Sequence, residues 1–279
     1  MAEGPKRHLY IPDTQVKPGA PQDHLEWIGQ AIVDYAPDVV VHLGDHWDMA
    51  SLNGHEQPGS APLEGARFAD DIASGNEGFA KICRPMEAKI GRLEAKHRKK
   101  WRPRRIFHTG NHEARADRVA NNDPKWLGTI GSDQCDIRGW ERFPFLKIAN
   151  IDGFLSTHYF QSSHSNRPIG GTIPNKLAKI GASFVHGHVQ GLDMGTKPMG
   201  NGRTWWGFSW GSCYLHREEY RGEQGQRHHN GILVLNEVRD GECSPMPLSL
   251  QYLCRKYTGM ELAHYMRLKY PNGSWDHLE

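Results

Sequence analysis

Four short apolar runs constrain this chain most. Each is broken by a tight turn, and each turn is followed by residues that can hold a cation. Leu9-Tyr10-Ile11-Pro12 leads into Asp13-Thr14-Gln15, and Val39-Val40-Val41-His42-Leu43 leads into Gly44-Asp45-His46-Trp47-Asp48. Arg105-Ile106-Phe107-His108-Thr109 leads into Gly110-Asn111-His112-Glu113, and Ser183-Phe184-Val185-His186 into Gly187-His188-Val189-Gln190. Apolar runs of this length between turn signals read as buried strands. Between the first two, Leu25, Ile28, Ile32, Val33 and Ala36 recur at helical spacing, and Pro37 stops the helix. The resulting β-α-β unit brings Asp13 and Asp45 to one sheet edge. Ligands of open α/β sheets bind beyond the carboxyl ends of the strands, so four such ends predict one site.

The 279 residues suffice for one large α/β domain or two small ones. Mean hydropathy is −0.69 and 37% of residues are hydrophobic, which fits a soluble chain with a fillable core. A net charge of +2 points to no particular partner, while 17 histidines leave room for a metal site. Cys83, Cys135, Cys213, Cys243 and Cys254 are scattered and form no C-x-x-C pair. That excludes a disulfide framework and a thiolate zinc site, and suggests a reducing compartment. Met1 to Arg7 lacks the apolar core of a signal peptide, and no apolar run reaches membrane-spanning length. The expectation is a cytoplasmic protein without a membrane partner.

Residues 49–104 read as an insertion. Asn53 to Gly65 is loop, and from Arg67 the pattern turns helical, with a break expected near Gly75 or Arg84-Pro85. The insertion ends in a basic run from Lys96 to Arg105. That run is either a phosphate-backbone contact or a solvated helix end whose cations complement the macrodipole. Ala114 to Val119 starts a helix at the third turn, with Arg115 and Arg118 facing the site or solvent. Phe143 to Ile148 reads as strand, and Asp152-Gly153 as a hairpin turn into Phe154–Tyr159. Residues 161–175 form a Gly/Ser/Pro loop able to cover substrate, with Arg167 its only cation. A short helix, a Trp205–Trp210 strand and a Gly231–Leu235 strand follow. The tail from Ser249 is helical by its apolar spacing, and the Trp cluster reads as sheet packing before base stacking.

The order of the turns resembles the calcineurin-like metallophosphoesterase family: D-x-H, G-D-x-x-D, G-N-H-E/D, a lone His, then G-H-x-H. The resemblance spans roughly residues 8 to 240. It implies an α/β fold: a four-layer sandwich of two mixed β-sheets flanked by helices. Residues 1–248 would form that domain, with the helical insertion at about 50–104 and a C-terminal helical tail over 249–279. It also implies two divalent ions and in-line attack of a metal-bound hydroxide on phosphorus. Asp45 resembles the bridging ligand, and Asn111, His158 and His188 would complete the second ion. His158 takes the place of the lone histidine because it ends a strand after a turn, with His164 its rival. His112 resembles the catalytic histidine, and Asp48 a residue that orients it. Glu113, Arg115 and Arg167 are candidates for ligand support or substrate contact.

Two positions depart from the pattern. The first ion would have Asp13 and Asp45, but Gln15 and Gln190 stand where the family has histidines. An amide oxygen is a neutral, weaker donor than imidazole nitrogen, so an all-oxygen position suits Mn²⁺, Mg²⁺ or Ca²⁺ better than Zn²⁺. The expected metal is therefore Mn²⁺ ahead of Mg²⁺, Zn²⁺, Ni²⁺ or Ca²⁺, with the first position weakly held. Some relatives in the family with Gln in the first motif are associated with manganese dependence. The expected substrate is a phosphodiester or phosphomonoester, of a nucleotide or nucleic acid. The alternative is a catalytically weakened relative that binds metal or nucleic acid. Met49-Ala50 replaces the Arg-Gly pair of the serine/threonine phosphatase branch. Ile-Pro-Asp-Thr-Gln, Gly-His-Val-Gln and Gly-Ser-Cys-Tyr resemble phosphoesterases of bacteriophages and their bacterial relatives; a phage-encoded chain would work in the host cytoplasm.

Overall fold

In the computed structural model, which describes residues 4–54, 60, 63–97, 100–218, 222, 225 and 228–278, β1 (Lys6–Ile11) sends Leu9 and Ile11 to one side and Tyr10 to the other. The same alternation runs through β2 (Val39–His42), with Val40 opposite Val39 and Val41, and through β3 (Arg104–His108), with Phe107 opposite Ile106. Side chains alternate because the strand repeat is two residues, so an unbroken apolar run belongs where both faces are covered.

Hydrogen bonding confirms the arrangement. With β4 (Glu141–Phe143), β10 (Gly231–Arg239) and β11 (Glu242–Ser249), these strands form a six-stranded sheet in the order β11-β10-β1-β2-β3-β4. β1 to β4 are parallel, and β10 and β11 are antiparallel additions. A second, five-stranded mixed sheet runs β5-β6-β7-β9-β8. Its members are β5 (Ala149–Ile151), β6 (Phe154–Thr157), β7 (Phe184–His186), β8 (Leu192–Pro198) and β9 (Thr204–Trp210). The inward faces of the two sheets meet in one cluster containing Tyr10, Val41, Leu233, Phe154, Val185 and Phe208.

Six α-helices are present among the described residues. α1 (Asp23–Tyr35) and α2 (Phe68–Ala95) cover the other face of the larger sheet, together with α5 (Leu250–Thr258) and α6 (Leu262–Lys269). α3 (Glu113–Asn122) follows β3, and α4 (Ile173–Ile180) lies on the outer face of the smaller sheet. Trp205 packs on that outer face, whereas Trp206 and Trp210 join the inter-sheet cluster. All five cysteines are free thiols. No helix among the described residues is long and apolar enough to cross a membrane.

Three local expectations need correction. α2 is one continuous helix, without a break at Gly75 or Arg84-Pro85. Pro85 is accommodated because α1 approaches closely at Gly29, where an added Cβ would lie 2.8 Å from the Pro85 ring and 2.7 Å from the Ile82 carbonyl. Burial against α1 outweighs the lost hydrogen bond at proline. Phe143 to Ile148 is not a strand: β4 ends at Phe143, β5 begins at Ala149, and Leu146 adopts left-handed φ between them. α4 begins at Ile173, inside the segment read as loop. The Asp152-Gly153 hairpin is as read, with φ of 50° and 90° at the two positions. Part of the 53–65 loop, including His55, and Arg98 and Lys99 of the basic run lie outside the described residues.

Gly75 marks where α2 meets the second turn. A Cβ there would fall 1.9 Å from Cδ1 of Trp47, a fully buried ring that stacks on Phe79. Gly→Ala inside a helix ordinarily stabilises by up to ~1 kcal/mol. Here the sign reverses. Gly75→Ala is expected to destabilise by about 1–3 kcal/mol through overpacking, read as a lower denaturant midpoint at unchanged slope. A stabilised variant would contradict this contact.

Candidate metal centre

Of the parallel strands of the larger sheet, β1, β2 and β3 send their site turns from the same edge. Ile11 pairs with His42 and His42 with Phe107, so Asp13, Asp45 and Asn111 leave their strands side by side. In the smaller sheet Thr157 pairs with His186, which brings His158 and His188 to the matching edge. Short-range bonds zip the turns together. Gln15 N–H donates to the Asp45 carbonyl (2.9 Å) and Val16 N–H to that of His46 (2.6 Å). His188 N–H donates to Asp13 Oδ1 (3.1 Å), and Cys213 N–H to the Asp13 carbonyl (2.8 Å). Gly187 permits this approach, since a Cβ there would sit 2.5 Å from Asp13 Oδ1. Gln15, Asp45 and His188 all have left-handed φ, of 38°, 50° and 65°. Non-glycine residues adopt that conformation at a cost and persist in it where the surroundings impose it.

Glu113 is fully buried at the first turn of α3. Its Oε1 accepts from the N–H groups of His46 (2.7 Å) and Trp47 (3.0 Å), and its Oε2 from those of Asp45 (3.1 Å) and Gly110 (2.8 Å). Burial and the Asp45 charge push its pKa up, and these N–H groups oppose them. A carboxylate has about four lone-pair sites. With all of them facing donors, no position remains for a proton, and the group is held ionised.

A buried chain of side chains locks the first two turns to α2. His46 Nε2–H donates to the Gly75 carbonyl (2.9 Å), so His46 Nδ1 accepts from the Thr14 hydroxyl (2.6 Å). Thr14 Oγ1 then accepts from His42 Nε2–H (3.2 Å), and His42 Nδ1 accepts from Gly44 N–H (3.2 Å). Only one tautomer of each ring fits. Burial keeps both neutral, with His46 lowered to about 3 and His42 well below its usual value. His108 bonds Ser156 Oγ (2.9 Å). His186 donates to the Gly187 carbonyl (2.7 Å) and accepts from Lys176 (3.1 Å), so both histidines beside the ligand turns bond locally.

Ligand atoms of Asp45, His158 and His188 lie within 4.8 Å of one another. His158 Nδ1–H donates to the Leu43 carbonyl (2.8 Å), which turns Nε2 towards Asn111 Oδ1 (2.8 Å) and Asp45 Oδ2 (3.2 Å). A backbone acceptor on one ring nitrogen is how a metal-binding histidine is oriented. His112 Nδ1 meets Asp48 Oδ1 at 3.0 Å, its Nε2 lies 3.6 Å from Asp45 Oδ2, and its N–H donates to Asp45 Oδ1 (2.9 Å). Asp48 is held low because the His112 bond outweighs its burial.

Burial and mutual charge set the groups of the cluster against one another. Burial, together with Asp45 nearby, pushes Asp13 well above the ordinary carboxylate range. Burial alone would depress His158, but Asp45 and Asp13 raise it to about 9. Burial and then His158 lower His188 to about 4. Asp13 Oδ2 and Gln15 Oε1 are buried with no hydrogen-bond partner. Buried polar oxygens are normally satisfied, and two orphans beside the cluster fit a bound cation. The donor set is therefore compatible with divalent metal. Gln190 Oε1 accepts from the Tyr214 hydroxyl (2.7 Å), and a carbonyl oxygen has a second lone pair for an ion.

The remaining candidates separate. Arg115 Nη1 donates to the carbonyls of Asp48 (2.9 Å) and Met49 (3.4 Å) and braces the second turn. The exposed Arg118 reaches the Asn111 carbonyl with Nη2 (3.3 Å). Arg167 is exposed on the loop after β6, and among the described residues it makes no hydrogen bond to the cluster. His164 is exposed in the same loop, away from the atoms that His158 brings together. The basic run enters β3 at its amino end, a strand's length from the cluster, where Arg102 pairs with Glu94 and Arg104 with Glu141. Glu113 supports the ligand turns as a clamp on their backbone N–H groups, and Arg118 takes the site side of the two options open to it. The Thr14 relay has no motif of its own, because it depends on contacts between turns.

No protein-family model matches the chain, and no curated protein matches it. Among solved structures it is similar to a conserved uncharacterized protein from Streptococcus pneumoniae TIGR4, described as a predicted phosphoesterase. The two are 10% identical, the match covers 88% of this chain and 100% of that one, and the TM-score is 0.31. At that TM-score the likeness carries no weight beside the geometry of the cluster.

Glu113→Gln puts an amide NH₂ among N–H donors. It is expected to cost about 2–4 kcal/mol, as for a broken buried charge network, and to weaken metal binding. Chemical denaturation and metal titration read both effects. Wild-type stability would show that the clamp does not hold the turns.

Proposed function

We propose that the chain is a metal-dependent phosphoesterase that hydrolyses a phosphodiester or phosphomonoester, of a nucleotide or nucleic acid. The observation that carries this is the pair of unpartnered buried oxygens, Asp13 Oδ2 and Gln15 Oε1, beside the Asp45–His158–His188 cluster. The succession of helices, sheet, sheet and helix supports reading the fold as a four-layer sandwich. We take residues 1–248 as the phosphoesterase domain, with the 50–104 segment supplying α2 and 249–279 a helical tail.

Two divalent ions fit the donors, Mn²⁺ foremost. Asp13, Gln15, Asp45 and Gln190 would hold one, and Asp45, Asn111, His158 and His188 the other. When bound, such ions lower the pKa of water and neutralise charge on the phosphoryl oxygens. The chain's own residues do the rest. Asp45 sits between the two donor sets and ties them together. Asp48 fixes the His112 ring through Nδ1, leaving Nε2 to carry the proton that the departing alkoxide takes. Burial works against a charged His112, but Asp45 and Asp48 outweigh it and raise its pKa, as an acid at neutral pH requires. Arg118 stands beside Asn111 as a cation for a non-bridging phosphoryl oxygen.

Metal-loaded wild type is expected to hydrolyse bis-p-nitrophenyl phosphate or p-nitrophenyl phosphate, while Asp45→Ala and Asn111→Ala remain folded and inactive. Turnover in either variant would overturn the ligand assignment. Metal binding without turnover by the wild type would favour a binding protein instead.

His112→Ala should lower kcat by about 10²–10⁴-fold at unchanged metal content, and mass-spectrometric metal analysis tells catalysis from support. Arg118→Ala should raise KM and leave bound metal unchanged.

The two positions should also differ in affinity. Calorimetric titration of the metal-free protein with Mn²⁺ is expected to resolve a tight and a weak event. Gln15→His with Gln190→His should tighten the weak one and shift tolerance towards Zn²⁺ or Ni²⁺, because imidazole favours transition metals. An unchanged metal profile in the double variant would remove the amides from the ligand set.

A further inference from the structure

A cavity of about 750 Å³ lies next to the cluster, between the 161–170 loop, the end of α4 and the 146–148 segment. Tyr159 is the shared wall. It follows His158 in the chain, lines the cavity, and its ring centroid is 4.7 Å from that of His188. None of the candidate metal ligands lines the cavity itself.

The outer wall is built rather than loose. Ile169 N–H donates to the Phe160 carbonyl (2.8 Å), Ser162 N–H to that of Arg167 (2.8 Å), and Gln161 Nε2 to that of Asn166 (2.9 Å). Leu146, Leu155, Phe160 and Ile180 supply apolar surface, and Ser162, Ser163 and Ser165, half-buried or exposed, put hydroxyls on the rim. Lys179 is on the lining, and among the described lining residues there is no carboxylate.

We infer that this cavity seats the nucleoside part of the substrate. Ligand pockets run to about 300–1,000 Å³, and a phosphoryl group alone would leave most of this space unfilled. Apolar and aromatic walls favour a planar ring, the hydroxyl rim favours hydrogen-bonding edges on that ring, and a wall without acids beside one lysine favours a neutral or anionic ligand. A nucleoside esterified at phosphorus meets all three conditions. Tyr159 places it next to the residues that would hold the phosphoryl group. The inference rests on the phosphoesterase reading for the substrate's orientation, but not for binding of the nucleoside itself.

The test compares thymidine 5′-p-nitrophenyl phosphate with methyl p-nitrophenyl phosphate, which share a leaving group, and measures thymidine binding by calorimetry. Ile180→Trp fills the cavity, and Lys179→Ala alters only an exposed side chain on its wall. Ile180→Trp is expected to raise KM for the thymidine ester about tenfold or more, ~1.4 kcal/mol, and to abolish thymidine binding. The methyl ester and bound metal should be unaffected. Lys179→Ala should weaken the thymidine ester selectively. Equal effects on both esters, or no saturable thymidine binding by the wild type, would overturn the inference. If neither ester is hydrolysed the phosphoesterase reading fails, and thymidine binding lost on Ile180→Trp still establishes the nucleoside seat.

Discussion

The Glu113 carboxylate is the interaction on which the site depends. It collects backbone N–H groups from two separate turns, at Asp45, His46 and Trp47 and at Gly110. Hydrogen bonds to an ionised acceptor are roughly twice as strong as neutral ones. The first turn of a helix is also where a negative charge gains from the macrodipole. The clamp therefore holds Asp45 in its left-handed conformation and fixes Asn111 beside it. Gly110 makes the approach possible, because a Cβ there would lie 2.1 Å from Asp45 Oδ1.

The chain from Gly44 through His42, Thr14 and His46 to Gly75 extends this order to the first strand and to α2. It sits between Asp13 and Gln15 on one turn and beside Asp45 on the next. Each donor in it has one acceptor, with the Thr14 hydroxyl donating to His46 and accepting from His42, so the network specifies a single arrangement rather than several. The same turns leave Asp13 Oδ2 and Gln15 Oε1 without partners. Satisfied supports around unsatisfied donors are what a preorganised cation site requires.

Much of this was legible in the sequence. The strands behind the four turns were readable because burial on both faces demands unbroken apolar runs, and the glycines marked the sharp exits. The supporting contacts were not readable. Glu113 lies within a motif, but its donors come mostly from a turn 65 or more residues earlier. Arg115 and Arg118 are one helical turn apart, and only packing turns the first onto the Asp48 carbonyl and the second towards Asn111. β8 has no apolar alternation to mark it, being an exposed edge strand defined by its ladder with β9. Proline in α2 suggested a break that close packing on Gly29 overrides.

The most direct measurement of the central claim is anomalous scattering from crystals grown or soaked in Mn²⁺. A strong peak bonded to Asp45, His158, His188 and Asn111 is expected, with a second, weaker peak bonded to Asp13, Gln15, Asp45 and Gln190. Ordered crystals with no peak in contact with Asp45 would contradict it.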